Sequence, residues 1–206
     1  MTDYFALLGE ARRPWLDPEE LKSRFVNLTA RVHPDRVHNT GDAERQDAHR
    51  RFTELNAAYQ CLREPRERLR HLLELERGTK TASVQEISST VAELFSLVGR
   101  LSREADACLA ARNQATSPLL KVDLFEKGMV LRDELNSTMA DLTRRKDRLV
   151  DQMKDLNMAW ESAPPVGSPR RALALPCGRL EHLYQEYSYL ARWSQQIQER
   201  LVQLSF

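Results

Sequence analysis

The chain has 206 residues, with 31 Lys and Arg residues against 30 Asp and Glu residues and a formal net charge of +1. This balance is unlike that of a general nucleic-acid binder, which carries a clear basic excess. Charged residues make up 30%, hydrophobic residues 41%, and there are only 7 glycines. Such a composition favours a helical protein with a charged surface over a sheet protein with many glycine turns.

The cysteines and the N-terminus exclude further classes. Cys61, Cys108 and Cys177 are far apart, so neither a disulfide framework nor a CxxC zinc site is indicated. The first residues include Asp3 and lack the basic segment and long apolar core of a signal peptide. No apolar run approaches the ~20 residues that span a bilayer. We therefore expect a cytoplasmic protein with no membrane segment, no cofactor and no nucleic-acid partner.

The first third of the chain predicts a helix hairpin with short flanking helices. Its first long helix is expected to begin at Asp17, a good capping residue, and to end at His33, because Pro34 cannot continue it. The other helices are expected over residues 42–63, 4–8 and 65–75. The predicted core consists of Leu7, Leu8, Leu21, Phe25, Leu28, Val32, Phe52, Leu55, Tyr59, Leu62, Leu69, Leu72 and Leu73. His49, His71 and His182 are expected at the surface.

Three later segments carry heptad patterns. Residues 78–90 are polar and rich in Ser and Thr, which predicts a linker. The apolar stripes that follow are Val91, Leu94, Val98, Leu101, Ala105 and Cys108; Leu135, Met139, Leu142, Leu149, Met153, Leu156 and Trp160; and Leu183, Leu190, Ile197 and Leu204. A helix start at Ser117-Pro118, a loop over 163–169 and a helix start near 177–179 separate them. This pattern predicts an antiparallel three-helix bundle over 91–206, behind an all-α unit of residues 1–77.

The tripeptide His33-Pro34-Asp35 lies in the loop of the hairpin. Pro34 restricts the loop, which lowers the entropy lost on docking. The Asp35 carboxylate is suited to a charge-assisted hydrogen bond from a partner's arginine. The tripeptide and His38 include metal-ligand types, but neither a cysteine nor a further histidine lies nearby to complete a metal or catalytic site.

The helix before this loop has a charged face. Arg24, Asn27 and Arg31 recur at steps of three and four, opposite the apolar stripe, and Arg36 extends the face beyond the loop. A solvated helix face is the ordinary interpretation of such residues. Beside the tripeptide, we interpret them as a surface that attracts an acidic partner.

These features resemble a J domain, the module by which co-chaperones engage DnaK-type chaperone ATPases. The matching residues are Tyr4-Phe5, Leu8-Gly9, His33-Pro34-Asp35-Arg36, Leu55-Asn56-Ala57-Ala58-Tyr59, Leu62, Pro65 and Arg68. Val32 stands where the pattern usually has Tyr. The resemblance implies that the chain is not an enzyme but promotes ATP hydrolysis by a chaperone. It also implies that the chaperone contacts His33, Pro34, Asp35, Arg36 and the charged helix face.

The passage from this unit directly into a helical bundle resembles the HscB family of iron–sulfur cluster co-chaperones. Similar segments are residues 3–5, 62–65 and 198–206. In that family the bundle binds the cluster scaffold IscU and the J domain delivers it to the chaperone HscA. The resemblance implies scaffold contacts at Leu97, Val98, Leu101 and Tyr189, although Ser102 replaces a charged residue of the family.

Two alternatives stay open at this point. Val98 and Leu101 fall on the heptad stripe, so they are equally explained as bundle core. The bundle also suits a J-domain adaptor that recruits another client or forms an oligomer. The aromatic side chains that either function can use as anchors are Tyr184, Tyr187, Tyr189 and Trp193.

Overall fold

A computed structural model describes residues 1–32, 41–78 and 89–205, and within these ranges the only regular elements are helices. They are α1 (Tyr4–Leu7), α2 (Pro18–Arg31), α3 (Asp42–Arg63), α4 (Pro65–Arg77), α5 (Ser89–Gln114), α6 (Pro118–Glu161), α7 (Arg171–Ala174) and α8 (Cys177–Leu204). The predicted all-α class is therefore confirmed. None of the helices in the described part of the chain is both long enough and apolar enough to cross a membrane.

Helices α2 and α3 form the predicted hairpin. The Asp17 carboxylate accepts the backbone N–H groups of the second and third residues of α2, at 2.9 and 3.0 Å. The helix ends at Arg31, and the predicted last residue, His33, lies outside the described residues. The rings of Phe25 and Tyr59 stack across the hairpin with their centroids 4.2 Å apart. This stacking fixes α2 against α3 and leaves the opposite face of α2 in solvent.

The core of the N-terminal helices is close to the prediction. Its buried side chains are Phe5, Leu8, Leu16, Leu21, Leu55, Ala58, Leu62, Leu69, Leu72 and Leu73. The predicted core residues Leu7, Phe25, Leu28, Val32, Phe52 and Tyr59 are only half-buried.

One surface prediction is wrong, because His71 is only 5% exposed. Its Nε2 atom accepts the backbone N–H of Tyr4 at 3.1 Å. The backbone N–H groups in the first turn of a helix have no acceptor inside the helix. The His71 ring supplies an acceptor for one of these groups in α1.

The chain forms two compact units. Unit 1 contains Met1–Ala82 and Val150–Tyr184, and unit 2 contains Ser83–Leu149 and Gln185–Phe206. The predicted linker over 78–90 lies mostly in residues 79–88, which are outside the described ranges, so the predicted domain boundaries stay predictions.

Polar contacts connect the N-terminal helices of unit 1 to its later segment. Asn157 Oδ1 accepts the backbone N–H of Trp15 at 3.0 Å, and its Nδ2 donates to the Trp15 carbonyl at 2.9 Å. The short helix α7, which was not predicted, places Arg171 in a two-bond ion pair with Glu76 at 2.8 and 2.9 Å. Unit 1 therefore includes the end of α6, α7 and the start of α8.

Unit 2 is the bundle of α5, the first part of α6 and the later part of α8. Arg100 pairs with Glu134, and Cys108 contacts the Leu124 carbonyl, so α5 and α6 run antiparallel. The heptad residues predicted for α5 and α8 are all buried. On α6 the predicted stripe is buried except for Met139, which is half-buried. The sequence therefore predicted the side of each long helix that faces the core.

Candidate functional sites

The charged face of α2 lies in unit 1 and is exposed. Arg24, Asn27 and Arg31 all have exposed side chains and follow one another at steps of three and four along the helix. They are thus on one side of α2, as the sequence predicted. The loop residues predicted to act with them, His33, Pro34, Asp35 and Arg36, lie outside the described residues.

Arg24 is anchored to the turn after α1. Its Nη1 donates to the Gly9 carbonyl at 2.7 Å, and its Nε lies 2.9 Å from Glu10 Oε1. Gly9 has a φ of +70°, a left-handed conformation that glycine adopts without strain. The Glu10 side chain is 3% exposed and also lies 3.5 Å from Arg13 Nη2. Arg24 is therefore held in place, while 48% of its side chain is exposed to a partner.

The sequence did not predict this anchor. Glu10 lies 14 positions before Arg24, outside any helical spacing, so periodicity gives no signal for the pair. Its effect on the site is physical: a cation held by two partners loses less rotamer entropy on binding than a free arginine.

Two of the four residues predicted to bind a scaffold are buried in unit 2. Val98 is 1% exposed and Leu101 is 0% exposed. Both lie on the heptad stripe of α5 and pack in the bundle core, as the alternative interpretation expected. Side chains this deeply buried cannot contact a partner directly, so the predicted scaffold contact at these two residues is wrong. They support the α5 backbone from within the bundle core. Leu97 and Tyr189 are half-buried.

An aromatic patch, formed by Phe95, Tyr189 and Trp193, joins α5 to α8. Trp193 is 5% exposed and supports two rings: Phe95, with centroids 6.4 Å apart, and Tyr189, with centroids 5.8 Å apart. Phe95 is 65% exposed although it is a large apolar residue. Neighbouring exposed apolar side chains are typical of protein-binding sites. The patch thus combines a rigid buried base with two rings that a partner can reach.

The sequence predicted Tyr189 but missed Phe95. The available signal was that Phe95 is a large apolar residue one position off the buried stripe of α5. Leu97, the predicted neighbour, is two positions from Phe95, and helical residues at that spacing do not face one another. The structure therefore places Phe95 and Tyr189 against the same Trp193 ring and leaves Leu97 on the other flank of α5.

The described part of the chain contains neither a metal-binding cluster nor a reactive thiol at Cys61. Within the described ranges there is no group of three or more His, Cys, Asp or Glu side chains that is able to hold a metal ion. Burial raises the pKa of Cys61 to about 11, with Glu67 adding to the effect, so its thiol stays protonated near neutral pH.

Comparison with known proteins gives a family match in the N-terminal part of the chain and a shared fold over most of its length. Residues 3–71 match the model of the DnaJ domain. Co-chaperone protein HscB of Proteus mirabilis is 35% identical over 93 residues, which is 45% of this chain and 53% of that protein. The match thus spans about half the length of this curated relative.

Two solved structures share the fold over nearly the whole chain. Chaperone HscB from Vibrio cholerae has a TM-score of 0.61 at 19% identity and covers 98% of this chain and 99% of its own. Human co-chaperone protein HscB has a TM-score of 0.63 at 18% identity and covers 97% of this chain and 82% of its own. At these identities the likeness concerns the fold.

Proposed function

We propose that the chain is a J-domain co-chaperone of the HscB family, with one partner for each surface. The loop His33-Pro34-Asp35 and the charged face of α2 stimulate the ATPase of a DnaK- or HscA-type chaperone. Unit 2 binds an IscU-type iron–sulfur cluster scaffold and delivers it to that chaperone. The protein is not itself an enzyme, and it acts in the cytoplasm. The main support is the occurrence of a DnaJ-domain match and an HscB-like fold in one chain.

The chaperone is bound by charge and by the tripeptide His33-Pro34-Asp35. Arg24 and Arg31 attract an acidic surface and orient it before contact. Asp35 then accepts a charge-assisted hydrogen bond from an arginine of the chaperone, and Pro34 limits the freedom of the loop. The anchoring of Arg24 by Gly9 and Glu10 supports this role, because it keeps one cation of the face in a fixed position.

The scaffold is bound through the aromatic patch. Phe95 and Tyr189 contact an apolar surface of the scaffold, and the buried Trp193 keeps both rings in place. Aromatic side chains dominate many binding interfaces, since they bury a large area at a small cost in side-chain entropy. Val98 and Leu101 act below the surface by fixing the α5 backbone that carries Phe95.

The loop is tested by measuring ATP hydrolysis by the chaperone with increasing amounts of the full chain. His33→Gln and Asp35→Asn should each abolish the stimulation while leaving the helix content and the melting temperature unchanged. Stimulation equal to that of the unmodified chain by both variants would disprove the proposed mechanism.

The charged face is tested with variants of Arg24 and Arg31. Substituting Arg24 alone would leave the buried Glu10 carboxylate without this partner, so Glu10 is substituted at the same time. Arg24→Met combined with Glu10→Gln removes the cation and its buried carboxylate together, and Arg31→Ala removes the second cation. We expect weaker docking from each variant, with a larger loss at low salt because salt screens the attraction. A loss that does not change with salt would show that the face acts by packing.

The scaffold site is tested by calorimetry with the full chain and an IscU-type scaffold. Phe95→Ala with Tyr189→Ala should weaken binding about 10-fold or more, the effect expected when interface anchors are removed. Leu97→Ala is the matched control, because it removes a half-buried apolar side chain from the other flank of α5. An equal loss in the control would relocate the site. No binding by the unmodified chain would favour the J-domain adaptor with another client.

A further inference from the structure

A concave groove runs between α5 and the first half of α6 in unit 2. It encloses about 690 Å³ and is lined mainly by apolar atoms. Ala107 and Ala111 of α5 keep one wall shallow, while Leu124 and Val130 of α6 form the other. Val130 is 60% exposed at the edge, although it is a β-branched apolar residue. The groove is therefore an apolar surface that the described part of the chain leaves open.

Carboxylates surround this groove, which we name the acidic groove. Glu104, Asp123, Glu126 and Glu134 line it together with a single cation, Lys127. At one end, the neighbouring Arg100 lies between the carboxylates of Glu104 and Glu134, at 3.1 and 3.3 Å.

The other end of the groove has two carboxylates against the one lining cation, Lys127. Asp123 and Glu126 form no ion pair with any residue in the described ranges, and both are exposed. A partner with positive charge at this end is therefore attracted.

The dimensions of the groove suit a helix. Its α6 wall extends from Asp123 to Glu134, which is about 17 Å, or three turns, at the rise of an α-helix. A third helix packs between two neighbouring helices by placing its side-chain ridges into their groove. Small residues at Ala107 and Ala111 allow its close approach.

We propose that the acidic groove binds a basic amphipathic helix of a partner protein. Aliphatic side chains of that helix lie on Ala107, Ala111 and Val130, and its Lys or Arg residues pair with Asp123 and Glu126. The groove lies in a part of the chain that neither the α2 face nor the aromatic patch includes, so this binding is independent of the proposed function.

Two synthetic peptides of about 14 residues, close to four helical turns, test the proposal. One has leucines on one face and lysines on the other, and the second has the same leucines with glutamates. With fluorescein labels, their binding to the full chain is followed by fluorescence anisotropy. We expect the Leu/Lys peptide to bind and the Leu/Glu peptide to bind at least about 10-fold more weakly, with the difference shrinking as salt rises.

Variants of the full chain locate the site. Asp123→Lys with Glu126→Lys, and separately Val130→Asn, should each weaken binding of the Leu/Lys peptide about 10-fold, because the first variant reverses the charge and the second removes the apolar contact. Asp147→Lys with Asp155→Lys is the matched control, since it makes the same charge change at exposed positions of α6 away from the groove. Circular dichroism and melting verify that each variant is folded.

Three outcomes would overturn the proposal. The first is equal binding of the two peptides, and the second is an equal loss in the Asp147 and Asp155 control. The third is a dimer of the unmodified chain in sedimentation velocity that Val130→Asn disrupts, because the groove would then bind a second copy of this chain. In each case the chaperone assay is unaffected, so failure here is distinct from failure of the proposed function.

Discussion

The two units differ in the burial of their most buried ion pairs. In unit 1, Glu76 and Arg171 form two hydrogen bonds with side chains only 2% and 8% exposed. In unit 2, Asp141 and Arg145 are paired at 2.8 Å with side chains 31% and 28% exposed. Removing one partner of a buried ion pair leaves the other charge without a partner and without water. In a partly exposed pair, water solvates the remaining charge, so the loss is smaller. The same residue types therefore have unequal importance in the two units.

The difference follows from how each unit is assembled. Unit 1 joins short helices and loops that are distant in sequence, and buried polar groups satisfy the backbone where they meet. Arg68, for example, is 4% exposed and donates to the carbonyls of Pro14 and Leu62 at 2.8 and 2.7 Å. Unit 2 joins stretches of long helices whose heptad stripes bury apolar residues, although the first turns of α6 leave several apolar side chains exposed. Unit 1 should thus be sensitive to polar substitutions as well as to apolar ones, and unit 2 mainly to apolar ones.

The largest expected effect is in the core of unit 2. Leu142 is fully buried, and Leu142→Ala should lower the free energy of unfolding by about 3 to 4 kcal/mol through lost burial and the cavity that remains. Hydrogen–deuterium exchange with mass spectrometry reports the two units separately. Faster exchange should be confined to segments of unit 2. A loss spread equally over unit 1 would contradict the contrast between the units.

The next effect concerns the buried ion pair of unit 1. Glu76→Gln should lower the free energy of unfolding by about 3 kcal/mol, because Arg171 then keeps a buried charge without its carboxylate. Combining it with Arg171→Met should cost less than the sum of the two single variants. Urea unfolding measures all three.

The matched control for that pair is Asp141→Asn in unit 2. Hydrogen bonds from Arg145 and Arg144 lower the pKa of Asp141, but the pair is partly exposed. We expect a change below about 0.5 kcal/mol in the free energy of unfolding. Equal effects at Glu76 and Asp141 would show that burial does not separate the two units.

The smallest effect depends on pH and concerns His71. Burial lowers the pKa of His71 from 6.5, opposed by Asp3 and Glu74 and aided by Arg12 and Arg70. The neutral ring, which accepts the Tyr4 N–H, is therefore favoured in the folded protein.

The direction of the pH effect follows from proton binding. Below pH 6.5 the unfolded chain binds a proton at His71 before the folded chain does. The contribution of His71 to stability should be complete above pH 6.5 and decline as the pH falls toward the lowered pKa. His71→Gln keeps an acceptor without titrating, so urea midpoints between pH 7.5 and 5 should fall less for this variant. Parallel pH profiles would exclude His71 as the cause.

The sequence predicted the parts of the fold that depend on periodicity. The buried stripes of the long helices and the cap at Asp17 are local patterns, and the structure confirms them. It did not predict α7, the burial of His71 or the pair of Glu76 with Arg171. The contacts of His71 with Tyr4 and of Glu76 with Arg171 join residues that are far apart in the chain. Neither spacing nor residue type marks such partners.

The candidate sites were predicted to a similar extent. The helical spacing of Arg24, Asn27 and Arg31 correctly placed them on one exposed face. Val98 and Leu101 were predicted either as scaffold contacts or as bundle core, and their burial agrees with the core interpretation. Phe95 was missed because exposure of an apolar residue depends on how neighbouring helices pack, which a single sequence does not specify.

The central claim is that one chain couples a chaperone to a scaffold through two separate surfaces. The most direct test is the ATPase rate of an HscA-type chaperone with limiting amounts of the full chain, with and without an IscU-type scaffold. We predict that the scaffold lowers the amount of chain needed for half-maximal stimulation. This effect should disappear with Phe95→Ala and Tyr189→Ala, while stimulation by the chain alone stays intact. Equal stimulation with and without a scaffold that binds the chain would contradict the account.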